Sequence, residues 1–233
     1  MKNVIYWIIG IIFVFLYIYF EYGVQFFDKT EENNVVYTLS SIEDYSGVDI
    51  IVLNNNVPSF DEKYLNSNSF EEYGELDSLG RCTYAFANIG TDIMPTESRG
   101  DISHIKPTGW HSKKYDIIED DGHLFNRCHL IAFQLASEND NVKNLITCTK
   151  YMNSTLMITY EEKVGNYVRR TKNHVLYRIT PIFDNDNLVA KGVQMEALSV
   201  EDNGKGIKFN IFVYNVQPGI YIDYKTGDSR KEK

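Results

Sequence analysis

One histidine of the sequence, His129, lies in a setting suited to acid–base chemistry. It sits in the apolar segment 124–131, with Arg127 two residues before it. In an extended strand, residues two apart share a face, so Arg127 and His129 would point the same way. An apolar environment favours the neutral imidazole, which is the form that a general base needs near pH 7. The segment therefore predicts a histidine base with an arginine beside it.

Two further polar residues, Asn153 and Glu161, fall on one predicted helix over residues 152–170. The helix is indicated by an apolar stripe of helical period, formed by Met152, Leu156, Tyr160, Val164, Tyr167 and Val168. Asn153 and Glu161 each follow a stripe position by one residue, so they flank the stripe on the same side. Because asparagine is disfavoured inside a helix, Asn153 is expected either to cap it or to have a partner such as a helix neighbour, a water or a metal ion.

The remaining pattern predicts an α+β fold, in which an antiparallel sheet packs against this long helix. A strand is expected over 83–89 and a turn at Pro107–Gly109. Three alternating runs, at 175–183, 193–200 and 207–216, are separated by turn-rich segments and indicate an antiparallel meander. The helix would then carry polar groups beside its buried face.

Composition and charge narrow the class of protein. The chain has 233 residues and three cysteines, which suits one globular domain with extensions and excludes a small disulfide scaffold. The net charge of −9 arises mainly in residues 30–80, with 11 acids and one base, whereas residues 81–233 carry 20 bases and 19 acids. The acidic balance therefore leaves a nucleic-acid substrate open, although it argues against extensive non-specific coating of a duplex.

The amino terminus predicts a membrane anchor. Lys2 precedes an apolar run from Val4 to Phe20, which is near the lower length limit of a spanning helix. The cation before the run and the acids after it place the rest of the chain outside the cell. We expect an anchor at 1–22, a polar acidic tether at 23–75 whose apolar segment 49–53 pairs with the body, and a domain at 76–233. The alternative is a cleaved signal segment and secretion.

From Asn126 to Glu161 the sequence resembles the DNA/RNA non-specific endonuclease family. The family signature is Asp-Arg-Gly-His, followed by an asparagine, a second asparagine nine residues later and a glutamate about eight further. The equivalent positions here are Asn126-Arg127-Cys128-His129, Asn144, Asn153 and Glu161. The similarity extends over about 76–228, and the anchor makes the chain most similar to membrane-held bacterial nucleases that degrade DNA at the cell surface or during uptake.

This resemblance implies a ββα-metal (His-Me finger) nuclease and a role for each matched residue. His129 would be the general base, and Asn144 would orient the histidine loop. Asn153 would bind Mg²⁺ directly, with Mn²⁺ as a substitute ion, and Glu161 would hold the ion through water. Arg127 would face the phosphate. The implied activity is sequence-non-specific cleavage of DNA, with RNA as a further candidate substrate, outside the cell.

Several alternatives stay open at this point. A basic cluster near the end of the helix is either a solvated face or a phosphate-tracking rim; it comprises Lys163, Arg169, Arg170 and Lys172. From it we take Arg169 and Arg170, together with Lys150, as substrate-binding candidates. The other functions considered are a non-catalytic surface receptor for DNA and a secreted toxin nuclease. The oligomeric state is undetermined.

Two positions depart from the signature. Asn126 replaces the aspartate, so it can still accept a hydrogen bond but lacks the charge. Cys128 replaces the glycine, where its side chain would either alter the backbone or fill an apolar gap. Zinc is disfavoured because the chain has no C-x-x-C pair. Two of the three cysteines could form a disulfide outside the cell, and the sequence does not say which.

Overall fold

The computed structural model describes residues 42–111 and 113–232. The predicted anchor at 1–22 and the first part of the predicted tether lie outside this range. Within the described residues, no helix combines the length and the apolar character needed to cross a membrane.

In the part of the chain that the structure describes, ten strands form three antiparallel sheets. In chain order the strands are β1 (Ile50–Val52), β2 (Phe70–Tyr73), β3 (Ala85–Ile89), β4 (Phe125–His129), β5 (Leu145–Thr149), β6 (Val175–Ile182), β7 (Gly192–Ser199), β8 (Lys208–Tyr214), β9 (Ile220–Ile222) and β10 (Ser229–Lys231). The main sheet has the order β1-β8-β7-β6-β3-β2, and β4-β5 and β9-β10 are separate hairpins. The predicted strand near 83–89 and the predicted meander are confirmed as β3 and β6-β7-β8.

Both edge strands of the main sheet come from residues that the sequence assigned to the tether. The apolar segment at 49–53 pairs with the body as predicted, because Ile50–Val52 lies antiparallel to β8. Strand β2 pairs with β3, with Phe70 and Tyr73 partly buried and Glu71 and Glu72 exposed. Acidic side chains on an exposed edge strand discourage pairing with other chains, and they also make the segment resemble a polar linker.

The predicted long helix is confirmed, with an irregular first part. Residues Met152–Met157 are π-helical and continue directly into α2 (Ile158–Thr171). A one-turn helix, α1 (Phe133–Ala136), and three short 3₁₀ segments (Asn54–Asn56, Glu62–Tyr64 and Val142–Asn144) complete the helical elements of the described range. Five of the six stripe residues are buried, and the sixth, Tyr160, packs against the same core cluster as side chains from β3, β6, β7 and β8. The stripe therefore anchors the helix on the main sheet.

The β4-β5 hairpin leads directly into this helix, so the chain has a local ββα arrangement. Arg127 lies opposite Thr147, and His129 at the end of β4 lies opposite Leu145. Cys128 and Cys148 form a disulfide between the two strands, with their Cα atoms 5.8 Å apart. Both are fully buried. The cysteine at the signature glycine position thus joins the hairpin strands covalently.

Candidate active site

The ββα arrangement brings the sequence-predicted residues to one cavity of about 350 Å³. Its polar lining includes Arg99, Arg127, His129, Gln134, Asn153 and Glu161. Asn153 and Glu161 therefore share one side of the helix, as the sequence predicted. Strand β4 supplies the arginine and the histidine because residues two apart point to the same face of a strand.

His129 is held as a neutral imidazole. Its ring is 7% exposed, and Nε2 lies 2.7 Å from the backbone oxygen of Asn139. A carbonyl oxygen can only accept, so Nε2 carries the proton and Nδ1 carries the lone pair, which Nη2 of Arg99 approaches to 3.4 Å. Burial lowers the pKa of His129 to about 4; the hydrogen bond to Asn139 opposes this shift, and the nearby charge of Arg99 adds to it. At pH 7 the imidazole is therefore neutral and able to accept a proton at Nδ1.

Asn144 fixes the chain directly after the histidine. It is fully buried, and its Oδ1 accepts the Ile131 backbone N–H at 2.9 Å while its Nδ2 donates to the Ile131 oxygen at 3.0 Å. Its own backbone oxygen accepts the N–H of Leu130 at 2.8 Å. These three bonds hold the two residues that follow His129. The geometry suits the loop-orienting role that the resemblance implies, and that role stays a prediction.

Asn153 lies inside the helical segment, not at its cap. It is the second π-helical residue, and Tyr151 occupies the N-cap position, so the capping alternative fails. The side chain is half-buried, and its Nδ2 donates a long bond of 3.4 Å to the Ser154 hydroxyl. That bond uses the amide nitrogen and leaves the carbonyl oxygen out. Asn153 also lines the cavity.

Glu161 is a buried carboxyl group. It is 7% exposed, and among the described residues it takes part in no ion pair. Burial raises its pKa to about 8; a hydrogen bond from Gln134 counteracts this shift and the charge of Glu162 adds to it. A carboxylate in such a place is costly unless a positive charge or hydrogen-bond donors compensate it.

Two arginines complete the lining. Arg127 donates from Nε to the Ile105 oxygen and from Nη2 to the Ser103 oxygen at 2.7 Å, and its Cζ lies 4.2 Å from the centre of the Trp110 ring. These contacts leave other N–H groups of the guanidinium free for a ligand.

Arg99 is the residue that the sequence reasoning missed. Its Nη2 lies 3.4 Å from Nδ1 of His129, and burial lowers the pKa of Arg99. It stands alone in an irregular segment, 28 residues before Arg127, with no periodicity or motif around it. Its importance becomes visible only through its contact with His129.

A second, larger cavity of about 750 Å³ shares Arg99, Arg127 and Asn153 with the first. Lys106 and Trp110 also line it, as does Asn126, the residue at the signature aspartate position. The cationic groups outnumber the single acid of the lining, Asp121, which pairs with Lys150 at 3.3 Å. This surplus suits a polyanionic ligand.

The proposed substrate-binding residues Arg169, Arg170 and Lys150 line neither of these two cavities in the described structure. Both arginines are exposed, and Arg169 donates to Asn166 at 3.2 Å. Lys150 pairs with Asp120 at 2.8 Å as well as with Asp121. Their contact with substrate stays a prediction.

The cysteine alternatives are settled by the fold. Cys128 pairs with Cys148, whereas Cys82 is a free thiol whose pKa is raised to about 11 by burial. Within the described residues, no group of three or more His, Cys, Asp or Glu side chains is arranged to hold a metal ion.

Comparison with known proteins defines the class. A family model described as DNA/RNA non-specific endonuclease matches residues 62–201, and the chain belongs to this family. It is thus a hydrolase that acts on nucleic acids. The matched region begins within the residues that the sequence assigned to the tether.

Nucleases are among the solved structures that resemble this chain. NucA from Streptococcus agalactiae is 26% identical, both with magnesium bound (78% of this chain and 88% of that chain covered, TM-score 0.70) and with no metal bound (88% and 98%, TM-score 0.71). The Sda1 nuclease with a bound zinc ion is 27% identical, with 70% of this chain and 82% of that chain covered and a TM-score of 0.60.

Proposed function

We propose that this chain is a Mg²⁺-dependent, sequence-non-specific endonuclease that cleaves DNA, and RNA as a second substrate, outside the cell. The observation that carries the proposal is the sharing of one cavity by a neutral imidazole, an amide and a buried carboxyl group. The NucA structure that contains magnesium supports the choice of ion.

In this proposal His129 activates the attacking water. Nδ1 takes a proton from the water while the Nε2–H bond to the Asn139 oxygen holds the ring in place. The resulting hydroxide forms a bond to phosphorus while the bond from phosphorus to the 3′ oxygen breaks. The 3′ oxygen takes a proton from solvent water, so the products carry 5′-phosphate and 3′-hydroxyl ends. General-base catalysis of this kind contributes about 10²–10⁴-fold to rate.

The residues present fit a hydrated divalent ion. The Asn153 amide would be its direct ligand, and Glu161 would accept hydrogen bonds from its waters. Glu161 is buried without an ion pair in the described structure, so a nearby cation would offset the cost of its charge. A bound Mg²⁺ supplies Lewis-acid stabilisation of the charge that develops on the phosphate and on the leaving oxygen.

The arginines bind and orient the substrate. Arg127 and Arg99 line both cavities and would meet non-bridging phosphate oxygens, to which guanidinium groups bind well. Contacts of this type run to the sugar-phosphate backbone and carry no base information, which accounts for non-specific cleavage.

Extracellular action is supported by the Cys128–Cys148 disulfide, since disulfides persist mainly in oxidising compartments. We retain a single-pass membrane anchor as the proposed means of attachment, with secretion as the alternative.

Plasmid nicking tests the proposal. Purified residues 30–233 are expected to nick supercoiled DNA with Mg²⁺ and to leave it intact with chelator. His129→Ala should lower the rate by at least about 10²-fold while DNA binding persists. His111→Ala is the matched control, because His111 is an exposed histidine that lines neither cavity. DNA left intact with every divalent ion would instead favour a non-catalytic receptor.

A further inference from the structure

Asn139 hydrogen-bonds both to His129 and to the segment that carries Arg99. Its backbone oxygen accepts the Nε2–H of His129 at 2.7 Å, and its side-chain Oδ1 accepts the backbone N–H of Gly100 at 3.1 Å. Gly100 directly follows Arg99, whose Nη2 is 3.4 Å from Nδ1 of the same histidine. The contacts therefore close a ring from the imidazole through Asn139 and Gly100 to the guanidinium and back.

The glycine at position 100 leaves room for the Asn139 side chain. A Cβ at position 100 would lie 2.8 Å from Nδ2 of Asn139 and 3.5 Å from its Cγ. The first distance is shorter than a van der Waals contact, so any larger residue would push the Asn139 side chain away. A side chain at position 100 would therefore disturb the bond between the Asn139 side chain and the Gly100 N–H.

The backbone and the side chain of Asn139 bind different groups. The backbone carbonyl sets the tautomer of His129 and would survive a change of side chain. The side chain acts only on the segment that carries Arg99, which belongs to no helix or strand. The bonds from Arg127 hold this segment at Ser103 and Ile105, whereas the Asn139 side chain holds it at Gly100, directly beside Arg99.

We propose that Asn139 is a positioning residue whose side chain holds the Arg99 guanidinium beside Nδ1 of His129, so that the cation which meets the phosphate lies next to the base. The inference rests on the proposed function and adds a residue that neither touches substrate nor reacts. A guanidinium has only donors, so it can lie near Nδ1 while the ring is neutral and is repelled once the ring is protonated. Arg99 in this place therefore favours the reactive form of the base.

A double-mutant cycle tests this. Asn139→Ala is expected to lower kcat/KM by on the order of 10- to 100-fold through misplacement of Arg99. In an Arg99→Ala background the same change should alter kcat/KM by no more than about twofold, because the residue it positions is gone. Asn139→Asp keeps an oxygen that can accept the Gly100 N–H and should retain more activity than the alanine variant.

The pH dependence of kcat/KM distinguishes a positioning role of Asn139 from a purely structural role, because loss of structure alone would not shift it. Asn139→Ala and Arg99→Ala should both shift the acidic limb to higher pH, since each removes a positive charge from beside His129. If Asn139→Ala is poorly folded, Gly100→Ala perturbs the same contact from the other side and should shift the limb in the same direction. Equal losses in both backgrounds, or an unmoved limb, would overturn the inference, while inactivity of His129→Ala would leave the proposed function intact.

Discussion

Replacement of Asn144 by alanine is the sharpest test of how the hairpin holds the residues that follow His129. The change removes both side-chain bonds to Ile131, at 2.9 and 3.0 Å, from a site with no solvent access. It leaves a backbone N–H and a backbone C=O buried without partners. Each such orphaned group costs about 1–3 kcal/mol, so the variant should lose roughly 2–6 kcal/mol of unfolding free energy.

Urea denaturation measures this loss, with Asn66→Ala as the matched control. Asn66 also makes one donating and one accepting bond, to the Lys63 oxygen at 2.9 Å and from the Asn68 N–H at 3.0 Å, but it is exposed. Water can replace both of its bonds, so its loss should stay within about 0.5 kcal/mol. Equal losses in the two variants would refute the reasoning, because burial is the difference that we hold responsible.

Three further predictions follow from the same geometry. Replacing Cys128 and Cys148 together with serine, or reducing the protein, should lower stability by about 3 kcal/mol, because the disulfide closes a loop of about 20 residues; thermal melts with and without reductant measure this. Without metal, the contribution of Glu161 to stability should be largest below the usual glutamate pKa and should be lost as pH rises towards about 8, because its folded-state pKa is raised. Urea titrations of the parent protein and of Glu161→Gln across about pH 5–8 measure this contribution as their difference, and Glu161→Gln should also reduce Mg²⁺-dependent cleavage. Added Mg²⁺ should raise the Tm of the parent protein but not that of Asn153→Ala, and equal shifts in both would remove Asn153 as the ligand.

Much of the framework could be predicted from local sequence. The apolar stripe at 152–168 and the alternating runs at 175–216 depend on periodicity within one element, and the structure confirms the helix and the three-stranded meander that they predict. The resemblance to the family signature likewise identified His129, Asn153 and Glu161, which line one cavity. The amphipathic pattern is strong here because each element buries one face on the same core.

The polar edge strands were harder to identify. Glu71 and Glu72 gave the segment containing β2 the composition of a linker, although Phe70 and Tyr73 are partly buried, each against a different core cluster. A four-residue strand has too few alternations to stand out from a polar background. Its pairing with β3 is a long-range contact that the local pattern does not report.

By itself, then, the sequence determined the family resemblance, the main helix and meander, and the histidine, asparagine and glutamate of the candidate site. Only the tertiary structure decided that Cys128 bonds Cys148, that Arg99 stands beside the imidazole and that Asn139 links the two. Periodic patterns indicate which face of an element is buried, and they can be recognised from residues close together in the sequence. A contact between two irregular segments produces no periodic pattern, because it depends on where the folded core places each segment in space.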